Sequence, residues 1–580
     1  MLTSEEKALL NQVNFEETVL LLNKFKDLNR QSGSEDEKRA SYYISERLNN
    51  YGIKNQILWP EIYLSTPRNA ELKIIGCNIN IHAKTPSYSM STDGKWIDGE
   101  LIYASSYRPP YAWGEFEYKL KFQGDPVGKI VICEGIPSPD KIRDIIGNGG
   151  IAAIFIQPGE NIHEGICTTT WGTPELDDYE NMTRIPAVSI NNPDGKLLIS
   201  KLEEKKIRAA VRTSLEEGWK KCPLVLAKID GYKEPEKFVL LHSHLDSWYK
   251  GIGDNALGNA STLEIARILN NSRDKLKRSV WIAWWPGHST GRYAGSTWFA
   301  DNYAMELYDN CIAHLNCEST GCINADSYED IMWTEDVDDF CKELVLEVTG
   351  IKSEWARPIR AGDYSFNNIG ITSYFMASST ISKKKREELG YYKVYGSGGN
   401  LEWHTELDDL KLVDENNFIR DTRLYLAGVY RMVNADILPI DCLKMLDSIQ
   451  KHANEYQLSC GEEFDLSPLF EEIQILKALM KDFYSKIKKC PDDDEIKAVI
   501  CDTILRVERK LIRISYTKRE EFKHDPAAMV PPLPEIAPVL KIQKLSQNKR
   551  KFLITQLLRS RNRVIHTLKE CQLFIKKTVF

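Results

Sequence analysis

Four runs decide the fold: KFVLLHSHLD (237–246), ASTLEIARILN (260–270), RSVWIAWW (278–285) and CIAHLNCES (311–319). The first, third and fourth are short, apolar and rich in β-branched or aromatic residues, as strands covered on both faces are. The second carries its apolar residues at helical spacing. Strand–helix–strand alternation implies a mainly parallel α/β sheet with helices on both faces, and it extends over about 220–435.

Outward from that core the texture changes twice. Residues 15–25 (FEETVLLLNKF) and 35–52 (EDEKRASYYISERLNNYG) read as helices, the second opening on Ser34 with Glu37 at capping-box spacing. Residues 1–60 are therefore assigned with 220–435 to one α/β domain. Residues 61–219 hold short β-rich runs such as GKIVICEG (128–135), GIAAIFIQ (150–157) and IPAVSIN (185–191), with a helix-like PDKIRDIIGNGG (139–150) between two of them. They read as a separate β-rich domain. Residues 436–580 are helical, and a Pro-rich stretch, HDPAAMVPPLPEIAPVL (524–540), is expected to be a semi-rigid extended spacer.

Composition narrows the function. The chain has 580 residues and net charge −7, with both signs interspersed, which argues against nucleic acid as a partner. The basic last helix, 547–577, has apolar residues at helical spacing beneath its charges, so it reads as an interaction helix rather than a nucleic-acid or membrane element. No run is long and apolar enough to span a membrane, and no signal peptide is visible at the start. Thirteen scattered Cys without a CxxC pair suit reduced thiols, and a cytoplasmic location is expected.

The chemistry gathers where the strands end. In LLHSHLD, His242, His244 and Asp246 share one face by alternation. Asp254 lies in the Gly-rich loop of GIGDNALGNA (251–260), Glu318 follows the strand in AHLNCESTG (313–321), and His404 lies in GNLEWHTELDDL (399–410). Loops at the carboxyl ends of parallel strands are where open α/β sheets place their sites. Two imidazoles and two carboxylates suit zinc. Taken singly, His244 also fits a structural histidine pair, and Asp254 a helix cap.

In their order and spacing these motifs resemble the zinc-dependent aminopeptidases and glutamate carboxypeptidases that carry an inserted protease-associated domain. The resemblance implies a phosphorylase/aminopeptidase-like α/β fold, with 61–219 as the protease-associated domain and 436–580 as a dimerising helical domain. It implies one or two zinc ions, or another divalent transition metal, with His244 and Glu318 on one, His404 on the other, Asp254 bridging, and Asp246 orienting His244. The activity implied is hydrolysis of a peptide or amide bond in a small substrate by metal-activated water, in a homodimer.

One segment departs from the family. Where a Glu-Glu pair supplies the general base and a metal ligand, this chain reads VWIAWWPGHSTGRYAGSTWFAD (280–301), with the Gly295-Ser296 landmark intact and both carboxylates gone. His288 is the one neighbouring side chain able to act as ligand or as base, and a loop histidine is the plain alternative. Trp403 stands where relatives often have a Tyr. Arg292, Tyr293, Arg360 and Asp363 are assigned to the substrate pocket, with Arg292 or Arg360 on a substrate carboxylate or polarised carbonyl; a surface Arg is the alternative for each. Loss of the Glu pair leaves open a specialised amidohydrolase, a cyclase-like acyl transferase, or a binding protein without catalysis.

Overall fold

The computed structural model describes residues 1–77, 79–105, 120–180, 182, 185–528 and 530–578. Helices Glu16–Phe25 and Glu35–Asn50 lead into β1 (Lys54–Leu58). A further helix, Ser4–Leu10, precedes them; Thr3 and Glu6 form a full capping box there. At Ser34 only half of the expected box forms. The Ser34 hydroxyl accepts from Glu37 N at 3.1 Å, but the Glu37 carboxylate turns to Gly33 N at 2.6 Å.

The chain then builds a second sheet from β2 (Glu61–Ile74), β3 (Ile97–Ser105), β4 (Lys121–Phe122), β5 (Ile130–Glu134), β6 (Ala152–Ile156), β7 (Ala187–Ile190) and β8 (Arg208–Lys221). Its order is β2-β8-β3-β5-β6-β7, with β4 on β3. The helix-like run closes as Pro139–Gly147 between β5 and β6.

From β9 (Leu224–Ile229) the chain returns to the first sheet and adds β10 (Glu234–His244), β11 (Arg278–Trp285), β12 (Cys311–Asn316) and β13 (Thr372–Ser373). The order is β1-β9-β11-β10-β12-β13, parallel from β11 to β13 and antiparallel at β9. Every residue of β11 and β12 is buried, which is why neither strand alternates in sequence. Period two still sorts the faces. Val239, Leu241, Val280, Ile282 and Trp284 pack with helices Leu257–Asn271 and Glu415–Asn434. Phe238, Leu240, Trp281, Ala283 and Trp285 pack with Ala294–Asn302 and Ala304–Asn310 on the other side.

Four long helices follow: Cys442–Cys460, Ser467–Ile487, Asp494–Tyr516 and Gln547–Lys577. The Pro-rich stretch before the last is not the extended spacer expected. Ala527 N donates to Thr169 O, Pro532 O accepts from Tyr456, and Leu533, Ile536 and Val539 are fully buried. The aliphatic side chains between its prolines carry enough apolar area to fasten the segment to the body. All thirteen cysteines are free. Among the described residues no helix is long and apolar enough to cross a membrane.

Asp336 joins the sheet to the helical region. Its Oδ2 accepts from Thr372 Oγ1 at 2.6 Å and its carbonyl from Asp441 N at 2.8 Å. Burial pushes its carboxyl up to about 6. The folded state thus holds this proton more tightly than the unfolded one, so the contribution is full below about pH 4 and is lost as pH rises through about 6. The melting temperature of the native protein should fall relative to Asp336→Asn over that window, by the equivalent of at most about 3 kcal/mol. Parallel melting curves from pH 4 to 7 would refute this.

Candidate metal centre

The site lies at the carboxyl edge of the first sheet. β10 delivers His244 as its last residue, and β12 ends two residues before Glu318. Between β10 and helix Leu257–Asn271, the loop bearing Asp254 turns under the site, and the Asp254–Asn255 peptide bond is cis. Asp408, the acid that closes His-Thr-x-x-Asp, grips this loop. Its Oδ1 accepts from Gly253 N at 2.6 Å and its Oδ2 from Asp254 N at 3.1 Å. Arg30, wholly buried, donates to the carbonyls of Leu245, Lys250 and Gly251 from beneath.

Asp254 does not cap the helix; its carboxylate faces two imidazoles. His244 Nε2 is 2.9 Å from Oδ1, and His404 Nε2 is 3.2 Å from Oδ2. The other ring nitrogens are committed to backbone carbonyls: His244 Nδ1 to Asp246 O at 2.9 Å, His404 Nδ1 to Glu164 O at 3.0 Å. A carbonyl accepts only, so each Nδ1 carries the proton, and in a neutral ring Nε2 is then a bare lone pair. Two lone pairs aimed at one carboxylate require cations between them, either added protons or metal. Without metal the balance falls on protons. Burial opposes charge on His244, but the Asp254 carboxylate outweighs it and pushes the imidazole up to about 10. Asp254 is itself held well below the usual carboxylate range, burial being overcome by its bonds to His244 and His404.

The donor set fits a divalent ion. Donors bound at about 2.0–2.1 Å round a tetrahedral ion stand about 3.3 Å apart, close to the nitrogen–oxygen separations here. Glu318 faces the same space: one donor atom each from His244, His288 and Glu318 lie within 4.8 Å of one another. Burial first, and then the Asp254 charge, raise the Glu318 carboxyl. Such a cluster of buried, mutually opposed charges in a cavity wall marks a candidate functional site.

His288 comes from the altered loop, with its ring stacked on His244 at 3.7 Å. Its Nδ1 meets Asp363 Oδ2 at 2.7 Å, and Asp363 Oδ1 accepts from Ser296 Oγ at 2.6 Å. Asp363 is thus the partner that orients His288 rather than a substrate contact. Asp246 also differs from expectation. Its carboxylate accepts from His288 N at 3.0 Å, Ser289 N at 2.9 Å and Ser32 Oγ at 2.7 Å, so it anchors the altered loop and steadies His244 only through its carbonyl. His242 remains below the site, with Nε2 at 3.1 Å from His314 Nδ1.

A cavity of about 300 Å³ opens over the cluster, lined by His288, Glu318 and His404 together with Arg292, Tyr293 and Trp403. Arg360 is not at its surface. The guanidinium lies 3.9 Å over the Trp171 ring and donates to Asp525 O and Tyr364 O, tying the Pro-rich segment to the core. Trp403 stacks on His404 at 3.8 Å.

Two contributors were not anticipated from the sequence, and both come from the β-rich region. Glu164 holds His404 from both sides, its N donating to His404 O at 2.8 Å and its carbonyl accepting from the ring. His163 bridges Trp403 O and Tyr392 Oη, at 2.5 and 2.6 Å. Neither stands in a motif. No local signal marks them, because their partners lie far along the chain.

Residues 225–429 match the model of Peptidase family M28. A probable glutamate carboxypeptidase of Zea mays is 34% identical over 93 residues, 16% of this chain and 13% of that protein. Carboxypeptidase Q of Xenopus laevis is 25% identical over 310 residues, 50% of this chain and 60% of that protein. The chain therefore spans less than two thirds of either relative. Among solved structures, an aminopeptidase from Aneurinibacillus sp. strain AM-1 shares the fold at TM-score 0.54 and 19% identity, over 73% of this chain and 95% of its own.

Gly396 provides a test of the site's packing. A Cβ there would stand 2.2 Å from Trp403 Nε1 and 3.3 Å from Asp254 Oδ2. Gly396→Ala should therefore displace the indole and lower stability by about 1–3 kcal/mol. Thermal unfolding, with tryptophan fluorescence to report the displaced ring, checks both; an unchanged spectrum and melting point would show that the pocket yields freely.

Proposed function

We propose that this chain is a metal-dependent hydrolase acting on an amide or peptide bond of a small substrate, with zinc as its ion. One observation carries the reading: the Nε2 lone pairs of His244 and His404 converge on the Asp254 carboxylate while both Nδ1 protons are spent on carbonyls. The family match over 225–429 supports it. His244, Asp254, Glu318 and His404 would hold the metal, and the metal when bound would supply Lewis acidity to the scissile carbonyl and to attacking water.

The chain's own groups do the rest. Asp254 and Glu318 would balance the ionic charge in a buried space. Asp408 and Arg30 keep the Asp254 loop from relaxing. Trp403, stacked on His404, limits entry of bulk water beside that imidazole. His288 takes the place of the missing Glu pair as a third imidazole donor, supported by its position within 4.8 Å of the His244 and Glu318 donor atoms. The Asp363–His288 bond favours a second reading, in which His288 Nε2 accepts a proton from water and passes it to the leaving nitrogen. Residues 61–219 are proposed as a protease-associated domain and 436–580 as a dimerising one. Exposed Leu458, Ile475, Phe552, Leu558 and Leu573 on the helices support the pairing, which light scattering tests.

Purified protein should contain one to two equivalents of transition metal by mass spectrometry, on the usual pattern of such sites. Asp254→Asn should lose metal together with all turnover, and chelation should abolish turnover reversibly. Full activity of the metal-free protein would refute the assignment. His288→Ala separates the two histidine roles: a ligand loses metal and turnover together, whereas a base leaves the metal in place and lowers kcat alone. Asp363→Asn should cost about 10- to 100-fold in whichever property His288 governs.

A further inference from the structure

We propose that Arg292 receives a free carboxylate of the substrate, so that the favoured bond lies next to a carboxyl end and not an amino end. The inference deepens the hydrolase reading and rests on it for the identity of the cavity.

Arg292 is only 4% exposed, yet among the described residues its guanidinium has no hydrogen-bonded or ion-paired partner, and its Nε is among the buried unsatisfied atoms. Its ring contacts are with Trp171 at 5.7 Å and Tyr293 at 4.9 Å. Arg360 lies over the same Trp171 ring at 3.9 Å, and that second guanidinium donates to carbonyls and feels the nearby Asp525 charge. Two buried cations thus share one indole, and the nearby anion, Asp525, acts on Arg360. Burial, opposed by the Asp525 charge and aided by the neighbouring Arg292, brings the Arg360 guanidinium down to about 10. Proteins seldom bury an uncompensated guanidinium unless something arrives to pair with it. Its planar fork matches a carboxylate better than any other small anion of a peptide.

The other charged groups on the cavity wall are already engaged. Lys393 pairs with Asp330 at 2.6 Å, and Arg357 with Glu335 at 2.9 Å. Glu164 accepts from Tyr249 Oη at 2.5 Å and lies 3.4 Å from Lys84. Glu318 belongs to the donor cluster. No carboxylate of the described wall is therefore left to greet an ammonium, whereas one cation is left to greet a carboxylate. Beside it the wall is apolar, with Ile136, Ile166, Met332 and Met376, so the residue released should be apolar as well. Arg292 and Tyr293 both hold left-handed backbone, φ +48° and +69°, on the loop that has lost its acids. Keeping two such residues in series is costly and is found where a side chain must be aimed.

The test uses the metal-loaded full chain and one matched pair, N-acetyl-alanyl-leucine and its C-terminal amide. The native protein should prefer the free acid by about 10- to 100-fold in kcat/KM, the worth of one charge-assisted contact. Arg292→Met should remove that preference by bringing kcat/KM for the acid down to that for the amide, and Arg292→Lys should recover part of it. Equal use of acid and amide by native protein, or a preference that survives Arg292→Met, overturns the inference. Calorimetric binding of N-acetyl-leucine against N-acetyl-leucinamide keeps this separate from hydrolysis. Arg292-dependent preference for the acid without any turnover would uphold the carboxylate site and remove the hydrolase reading. Neither turnover nor acid preference would overturn both.

Discussion

A buried carboxylate, Asp254, is the constraint on which the site depends. It lies between imidazoles from β10 and from a loop far along the chain, and it can remain ionised only because both rings face it. Burying charge without compensation is among the costliest things a fold can do. The surroundings read as responses to that demand. Asp408 clamps the Gly253 and Asp254 amides, and burial together with Asp254's charge pushes its own carboxyl up to about 7. Arg30 holds three carbonyls of the same loop. Asn255 ties the loop to both neighbouring strands through Ser243, Cys317 and Ser319.

The β-rich region takes part in the site itself. Glu164 fastens the His404 ring, His163 fastens the Trp403 carbonyl, and Trp171 supplies the surface against which Arg292 and Arg360 lie. The Pro-rich segment then locks the arrangement from behind, through Ala527 on Thr169 and Asp525 on Arg360. Changes in either region should therefore be felt at the metal centre, although neither supplies a proposed ligand.

The loop 286–293 carries an imidazole and a guanidinium and no carboxylate. Gly295 still packs against Pro286, where a Cβ would stand 2.2 Å from the Pro286 carbonyl, so the turn into helix Ala294–Asn302 keeps a tight glycine contact. Within that turn stand an imidazole held by Asp363 and a guanidinium whose Nε has no partner. Both make the cavity hospitable to an anion.

Local pattern was enough for part of this protein. The buried strands, the helix after the Asp254 loop, the second β-rich unit and the helical end were legible, because periodicity and Gly or Pro punctuation act over a few residues. His244, Asp254, Glu318 and His404 were legible as strand-end and loop polar residues, and the structure brings them to one place. What the sequence could not decide is which polar group meets which. Arg292 and Arg360 looked alike, yet one lines the cavity and the other is spent on Asp525. Asp363 looked like a pocket residue and is the anchor of His288. Asp246 looked like the side-chain support of His244, yet its carboxylate holds the altered loop and its carbonyl meets the ring. Glu164 carried no local signal, and the prolines of 524–540 suggested a spacer where the aliphatic residues between them pack. Their roles come from pairings between distant segments, fixed only when the whole chain packs, because burial forces each polar atom to find whichever partner the tertiary structure has brought within reach.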